Sequence, residues 1–419
     1  MSRRMCQPLG WPNARFSLPP GLTFSGLPCI LETMRMTMRW FGPGHDPVTL
    51  DKLRQVPGIY GVITTMYGVP PGEAWPKDEF AALKDEVEAH GLCIAGIESV
   101  NIHDSIKTAG AERDRHIENY VATLKMLGEA GIDMVCYNFM PVFDWTRTNL
   151  AKPRSDGATV LSYEQEIIDK INPAEMFSRI TAGVGDTVLP GWEPDRMARI
   201  KELFEMYRDI DGEVLFANLK YFLEAIMPTC ARYGIKMAIH PDDPAWPIFG
   251  LPRIVTNKEQ LLRLVNTVDH PCNGVTLCTG SLGSNPANDI PDIIRSLKGR
   301  VHFAHVRNVR HNGPGDFEES AHLSVDGSLD MYAIMKALHD IGFEGPVRPD
   351  HGRQIWGETK CVPGYGLYDR AIGLAYLNGL LEAIQKCVPQ PPSFIPHPQY
   401  PVPDPHFTTG PDVCYNGCQ

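Results

Sequence analysis

The sequence predicts an α/β protein built as a single (β/α)8 TIM-type barrel, and three features predict it. Short apolar runs rich in β-formers recur between turn residues, amphipathic helical stretches separate them, and reactive side chains collect at the C-terminal ends of the later runs. Strict alternation of strand and helix implies a parallel sheet, and eight repeats imply closure into a barrel.

The eight runs are MTMRWFG (36–42), YGVITTM (60–66), CIAGIESV (93–100), MVCYNFMP (134–141), KMAIHPDD (236–243), GVTLCTGS (274–281), VHFAHVRN (301–308) and GPVRPDHG (345–352). Between them KDEFAALKDEVEAHG, RDRHIENYVATLKMLGEAG, EVLFANLKYFLEAIMPTCARYG, NKEQLLRLVNTV and LDMYAIMKALHDIG place apolar residues three and four apart. Several of these stop at glycine, the residue that ends a helix without steric cost. The rhythm breaks once, after the fourth strand. Residues 142–212 carry DWTRTNLAKPRSDG, YEQEIIDKINPAEMF and a charged helical stretch from Pro194 to Tyr207. An insertion there lies on the catalytic face, where it acts as a substrate cover or as a packing or dimer-contact element.

The barrel domain is expected over residues 34–388. Residues 1–33 read as a disordered N-terminal extension: basic residues come early, but prolines and glycines break any continuous apolar core of a secretory signal. Residues 389–419 form a tail whose PQPPSFIPHPQYPVPDPHF cannot make helix or central strand. Cys414 and Cys418 sit in it as a lone C-x-x-x-C, with no second pair to complete a zinc site.

Bulk properties exclude several function classes. Of 419 residues, 43% are hydrophobic and 21% charged, the composition of a globular protein with a large core. Fifty acidic residues against 39 basic ones give a net charge of -11, which argues against nucleic acid or another polyphosphate partner. Eleven cysteines without a repeating spacing read as reduced thiols in a cytoplasmic protein. The chain lacks about 18 consecutive apolar residues, so no membrane span is expected. The glycines of GPGHD and TGSLGS lack the lysine and hydroxyl residue of a phosphate loop.

In a β/α barrel the strand ends converge on one mouth, so the residues there carry the chemistry. The fifth strand ends in His240, the sixth carries Cys278, the seventh His302 and His305, and the eighth leads to Asp350 and His351. Imidazole, thiolate and carboxylate together neutralise and orient a divalent transition metal while leaving positions open for substrate oxygens. Alternation sets His302 and His305 on opposite faces of their strand. His305, nearer the C-terminal end, is the expected ligand, and His302 is assigned to packing.

At these positions the chain resembles a known family. MRMTMRWFGPGHDPVTL, VPPGEAWP, GIESVNIHDSIKTAG, CYNFMPVFDWTRT, HPDDP, HVRNV, AHLSVDGSLDMYAIMKALHDIGFEGPVRPDHGR and PGYGLYDRAIG are similar to D-mannonate dehydratase over about residues 34–384. The resemblance implies conversion of D-mannonate to 2-keto-3-deoxy-D-gluconate and water in hexuronate catabolism. It implies Mn²⁺ or Fe²⁺ held by His240, Cys278, His305 and Asp350, where ligand softness alone makes zinc a candidate. A homodimer is implied by the family alone.

Removing a proton beside a carboxylate and expelling a hydroxyl require a base, an acid and a cation for the developing charge. The resemblance suggests His351 and Tyr365 as the acid/base pair. By residue type alone, Tyr365 in PGYG reads rather as a rim aromatic capping the barrel. A sugar acid also needs a guanidinium and hydrogen-bonding groups; by position the candidates are Arg307, Asn308, Arg39, His103, Asn101, Asn138 and Arg353. Glu98 is placed to support the metal shell as a hydrogen-bond acceptor. The competing readings are a metal-dependent sugar isomerase or epimerase on the same barrel, and a non-catalytic sugar-acid binding protein.

Overall fold

In the computed structural model, residues 34–170 and 200–387 are described. The N-terminal extension, residues 171–199 with the start of the charged helical stretch, and the proline-rich tail with Cys414 and Cys418 lie outside the described residues. The strands in chain order are β1 (Arg35–Arg39), β2 (Gly61–Thr64), β3 (Ile94–Glu98), β4 (Met134–Tyr137), β5 (Asn149–Pro153) and β6 (Thr159–Glu164). They continue with β7 (Lys236–Ile239), β8 (Asn273–Cys278), β9 (Val301–His305), β10 (Val309–Gly313), β11 (Asp316–Glu319) and β12 (Pro346–Arg348).

Eight strands close into a parallel barrel in the order β1-β12-β9-β8-β7-β4-β3-β2. Each expected run holds one of them, but the hydrogen-bonded part is shorter: the last residues of KMAIHPDD and GPVRPDHG lie past the ladder, in the loops of the mouth. Barrel strands read as near-continuous apolar runs because both faces are covered. Outward residues such as Met36, Val135, Val275 and Val347 pack in the main core with Phe80, Leu124, Phe222, Ile294, Leu338 and Leu377 from the surrounding helices. Ile63, Ala95, Met134, Cys136, Ala238 and Phe303 form a separate buried cluster. Each large side chain so buried contributes roughly 1.5–3 kcal/mol.

The helices follow their local signals. Helix Gly212–Tyr233 begins where Asp211 accepts a hydrogen bond from the Val214 N–H and ends at Gly234 in the left-handed region, φ 69°. No helix among the described residues is long and apolar enough to cross a membrane.

The structure adds a second sheet. β5 and β6 come from the insertion after β4, and β10 and β11 from the segment after β9; they pair antiparallel in the order β10-β11-β6-β5. The hairpin β10–β11 is not among the eight expected runs. Its strands are polar on one side, and their partner β6 lies about 150 residues away, so no local pattern announces it. The sheet has its own core, in which Tyr163 stacks on Phe317 with ring centroids 5.4 Å apart. Both of its hairpins leave the C-terminal ends of barrel strands, and Trp145 and Thr159 bridge to Asp243 and Gln354 in the loops of the mouth.

His302 is a packing residue in this frame. Its Nδ1 stands 2.8 Å from the Met237 carbonyl, and its ring fills a slot beside Gly274, where an added Cβ would meet Cε1 at 2.4 Å. Burial disfavours the charged ring and lowers its pKa from 6.5 to about 4. Between those values the unfolded chain takes up a proton that the folded chain refuses. The residue therefore carries no penalty above pH 6.5 and destabilises the fold as pH falls. From pH 7 to 5, urea unfolding of the wild type should lose about 2 kcal/mol more than His302→Gln. Parallel pH profiles for the two proteins would contradict a buried neutral ring.

Candidate active site

The mouth of the barrel brings the expected groups together in a cleft lined among others by Arg39, Glu98, Asn138, His240, Arg348, Asp350, His351 and Tyr365. His240, Cys278 and His305 present ligand atoms within 4.8 Å of one another. Asp350 stands against two of them, its Oδ2 3.8 Å from Cys278 Sγ and 3.7 Å from His305 Nδ1. The same carboxylate also faces Arg307 Nε at 2.9 Å and Arg348 Nη1 at 2.8 Å.

These residues fit a divalent ion. His305 is fully buried, and among the described residues its ring nitrogens meet only Glu98 Oε2 at 3.4 Å and Asp350 Oδ2 at 3.7 Å without a well-formed hydrogen bond, an arrangement that costs stability unless something coordinates the ring. His240 Nδ1 lies 2.7 Å from the Pro241 carbonyl, which fixes the hydrogen there and leaves Nε2 as a ligand. Burial alone would raise the Cys278 thiol, but Arg307 and His240 outweigh it and hold the sulfur well below its usual range as thiolate. Burial likewise works against charging His240, yet the Cys278 thiolate pulls its pKa up to about 9, so this point in the cleft attracts positive charge. Glu98 borders the group, with Oε2 3.4 Å from His305 Nε2 and Oε1 2.8 Å from Arg348.

Behind the cleft lies a buried ion-pair network that the sequence reading did not single out. Arg147, from the insertion, pairs with Asp243 at 2.7 Å and with Glu319 at 2.7 Å. Arg307 reaches Asp243, Glu319 and Asp350 at 2.8, 2.6 and 2.9 Å. Gly280 makes the space for it, since a Cβ there would fall 2.3 Å from the Arg307 guanidinium. Despite burial, Arg147 and Arg307 hold the Asp243 carboxyl far below its ordinary value, and Arg307 with Arg147 brings Glu319 down to about 2. Glu319 also meets His351 Nδ1 at 3.2 Å, while His351 Nε2 lies 3.1 Å from the Tyr365 hydroxyl. Burial, ahead of the nearby Asp350 charge, raises the Tyr365 phenol, so it carries its proton at neutral pH.

The expected substrate contacts divide. Arg39 and Asn138 line the cleft; Arg39 lies over the Phe41 ring and donates to the Tyr67 hydroxyl at 2.6 Å and to the Glu98 carbonyl. Arg307 also lines it but is spent on three carboxylates. Four others, Asn308, His103, Asn101 and Arg353, are placed elsewhere, a correction to the positional argument. Asn308 is buried behind the mouth, donating to the Leu323 carbonyl and accepting from Leu329 N–H. His103 lines a separate depression with Asn101, its ring tilted against that of His116 with centroids 4.0 Å apart. Arg353 points outward to Asp369 and Asp156. In each case a local polar partner captured the side chain before the cleft was reached. Arg348, one residue from the rim in GPVRPDHG, is the guanidinium in the cleft that positional reasoning passed over.

Fold and site define a (β/α)8-barrel enzyme with a side-chain group able to hold a metal ion. The family model for D-mannonate dehydratase (UxuA) matches residues 34–390. The mannonate dehydratase of Brachyspira hyodysenteriae is 66% identical over 353 residues, covering 84% of this chain and 99% of that one. That of Thermotoga neapolitana is 54% identical over 355 residues, covering 84% and 98%. The crystal structure of mannonate dehydratase from Streptococcus suis serotype 2 superposes with a TM-score of 0.77 at 44% identity, over 86% of this chain and 97% of that one. The chain belongs to the D-mannonate dehydratase family and is a hydro-lyase.

The geometry predicts one tightly bound divalent ion per chain. Equilibrium dialysis against Mn²⁺ should show affinity lowered at least about 100-fold in Cys278→Ser, beyond what loss of a supporting hydrogen bond costs. Unchanged affinity would remove the sulfur from the ligand set.

Proposed function

We propose that the cleft converts D-mannonate to 2-keto-3-deoxy-D-gluconate and water with Mn²⁺ or Fe²⁺ held by His240, Cys278, His305 and Asp350. His351 and Tyr365 form the acid/base pair. The observation that carries this reading is the 3.1 Å contact between His351 Nε2 and the Tyr365 hydroxyl, directly beside the His–Cys–His group. When bound, the ion supplies Lewis-acid stabilisation of negative charge developing on substrate oxygen.

The chain's residues supply the rest. One member of the pair takes the proton from C2 and the other delivers a proton to the C3 hydroxyl, which leaves as water. The resulting enol becomes the 2-keto acid as C3 takes up a proton and the C2 hydroxyl gives one up, and the contact between phenol and imidazole returns the pair to its starting state. Arg39 and Arg348, both lining the cleft, are the groups to meet the substrate carboxylate. By family we place the reaction in hexuronate catabolism, in the cytoplasm, and in a homodimer.

Incubation of the purified chain with D-mannonate and Mn²⁺ should release a 2-keto-3-deoxy acid, and His351→Ala should lower kcat about 10²- to 10⁴-fold. An isomerised or epimerised product that keeps all its hydroxyls would replace dehydration with the rival chemistry; binding without turnover would leave a sugar-acid binding protein.

A further inference from the structure

We propose that Glu319, on the sheet outside the barrel, is the positioning residue that sets which nitrogen of His351 carries hydrogen and so points the imidazole lone pair into the cleft. The inference rests on the reading of His351 as a proton carrier. It adds a residue that comes from neither a barrel strand nor the cleft wall.

Glu319 ends β11, is fully buried and does not line the cleft. Its Oε1 accepts from Arg147 Nη2 at 2.7 Å and Arg307 Nη1 at 2.7 Å, its Oε2 accepts from Arg307 Nη1 at 2.6 Å, and Oε1 faces His351 Nδ1 at 3.2 Å. A carboxylate only accepts, so the neutral imidazole must carry its hydrogen on Nδ1. The lone pair is then on Nε2, toward the Tyr365 oxygen. Tyr365 has one hydroxyl hydrogen and two acceptors in reach, Nε2 at 3.1 Å and Asp350 Oδ1 at 3.3 Å. With Nε2 bare, the hydroxyl can donate to it; with hydrogen on Nε2, that bond reverses and Tyr365 turns to Asp350.

The carboxylate cannot swing away. Two guanidiniums hold it, and they in turn grip Asp243. β11 is pinned by antiparallel pairing to β6 of the insertion, with Phe317 opposite Tyr163 and Glu318 opposite Ser162. The Trp145 ring, 5.3 Å from the His351 ring, closes another side. The second sheet thus works as a bracket for one imidazole.

Glu319→Gln separates positioning from packing. A glutamine is the same size but offers one acceptor atom to three donors. An NH₂ in the place of Oε1 would face both guanidiniums, which cannot give up hydrogens, so the neutral amide oxygen takes that place and its two lone pairs go to the arginines; Nδ1–H loses its charged acceptor, and the imidazole hydrogen is free to move to Nε2. The experiment measures kcat and KM for D-mannonate at saturating Mn²⁺ in wild type, Glu319→Gln, His351→Asn and the double variant. The expected result is a kcat about 10²- to 10⁴-fold lower in Glu319→Gln with KM changed less than about threefold. In the His351→Asn background the same change should cost less than about threefold.

Wild-type kcat in His351→Asn would overturn the catalytic reading and this inference with it. An impaired His351→Asn beside a Glu319→Gln within threefold of wild type would overturn the inference alone, as would an equal loss from Glu319→Gln in both backgrounds. Should Glu319→Gln not fold, Glu319→Asp keeps the charge for the arginines but withdraws it from the ring by one methylene. It should then lose at least about tenfold in kcat with His351 present and less than about threefold without it, and equal losses in the two backgrounds would again make Glu319 purely structural.

Discussion

The mutual burial of Arg147, Asp243, Arg307 and Glu319 is the constraint on which the rest of the active face depends. Taking such charges out of water is costly, and their pairing in a low-dielectric interior offsets that cost only when every partner is present and well aligned. Losing one partner of a buried pair typically costs about 3–5 kcal/mol, because the other charge stays behind. Networks of this kind are poor devices for raw stability and good ones for fixing geometry. Here Arg147 ties the insertion to the loop after β7 through Asp243 and to β11 through Glu319, and Arg307, in the loop after β9, grips the same two carboxylates.

Arg307 joins this network to the His240–Cys278–His305 group. Its Nε meets Asp350, its charge lowers the Cys278 thiol, and its Nη atoms hold Glu319 and Asp243. The sequence motif TGSLGS gains its meaning from this contact: Gly280 yields room for the guanidinium, and Ser281 Oγ lies 3.0 Å from both Asp243 Oδ2 and Cys278 Sγ, either of which can accept its one hydrogen. Dipoles and charges held in advance do not have to reorganise as the reaction proceeds, which is where electrostatic catalysis gains most of its advantage over water.

The barrel was legible because its strands are buried on both faces and its helices on one, so hydrophobic period alone separated them. His240, Cys278, His305 and Asp350 were legible because barrel geometry converts position at a strand end into proximity. Arg147 and Glu319 were not. An arginine in DWTRT and a glutamate in DFEES look like solvated loop residues, and only the pairing of two hairpins far apart in sequence buries them. Phe317 and Glu319 alternate onto one side of β11, which was the faint available signal. Asn308, His103 and Arg353 show the converse: position near a strand end was right, but capture by Leu323 and Leu329, by Ser105 and His116, and by Asp369 turned them from the cleft.

A short last strand explains why so much machinery surrounds it. β12 has three residues, and both Asp350 and His351 lie beyond its end, where no ladder hydrogen bond fixes the backbone. Their orientation must come from side chains. Arg307 and Arg348 hold Asp350, while Glu319 and Tyr365 hold His351 from opposite ring nitrogens. The loop carrying Tyr365 is fastened back by the Gly352 N–H to the Gly364 carbonyl at 2.9 Å. Side chains placed past a strand end, such as His351 and the Tyr365 it meets, lack a ladder to orient them, and the sheet built from two distant hairpins brings Glu319 against the other side of the ring.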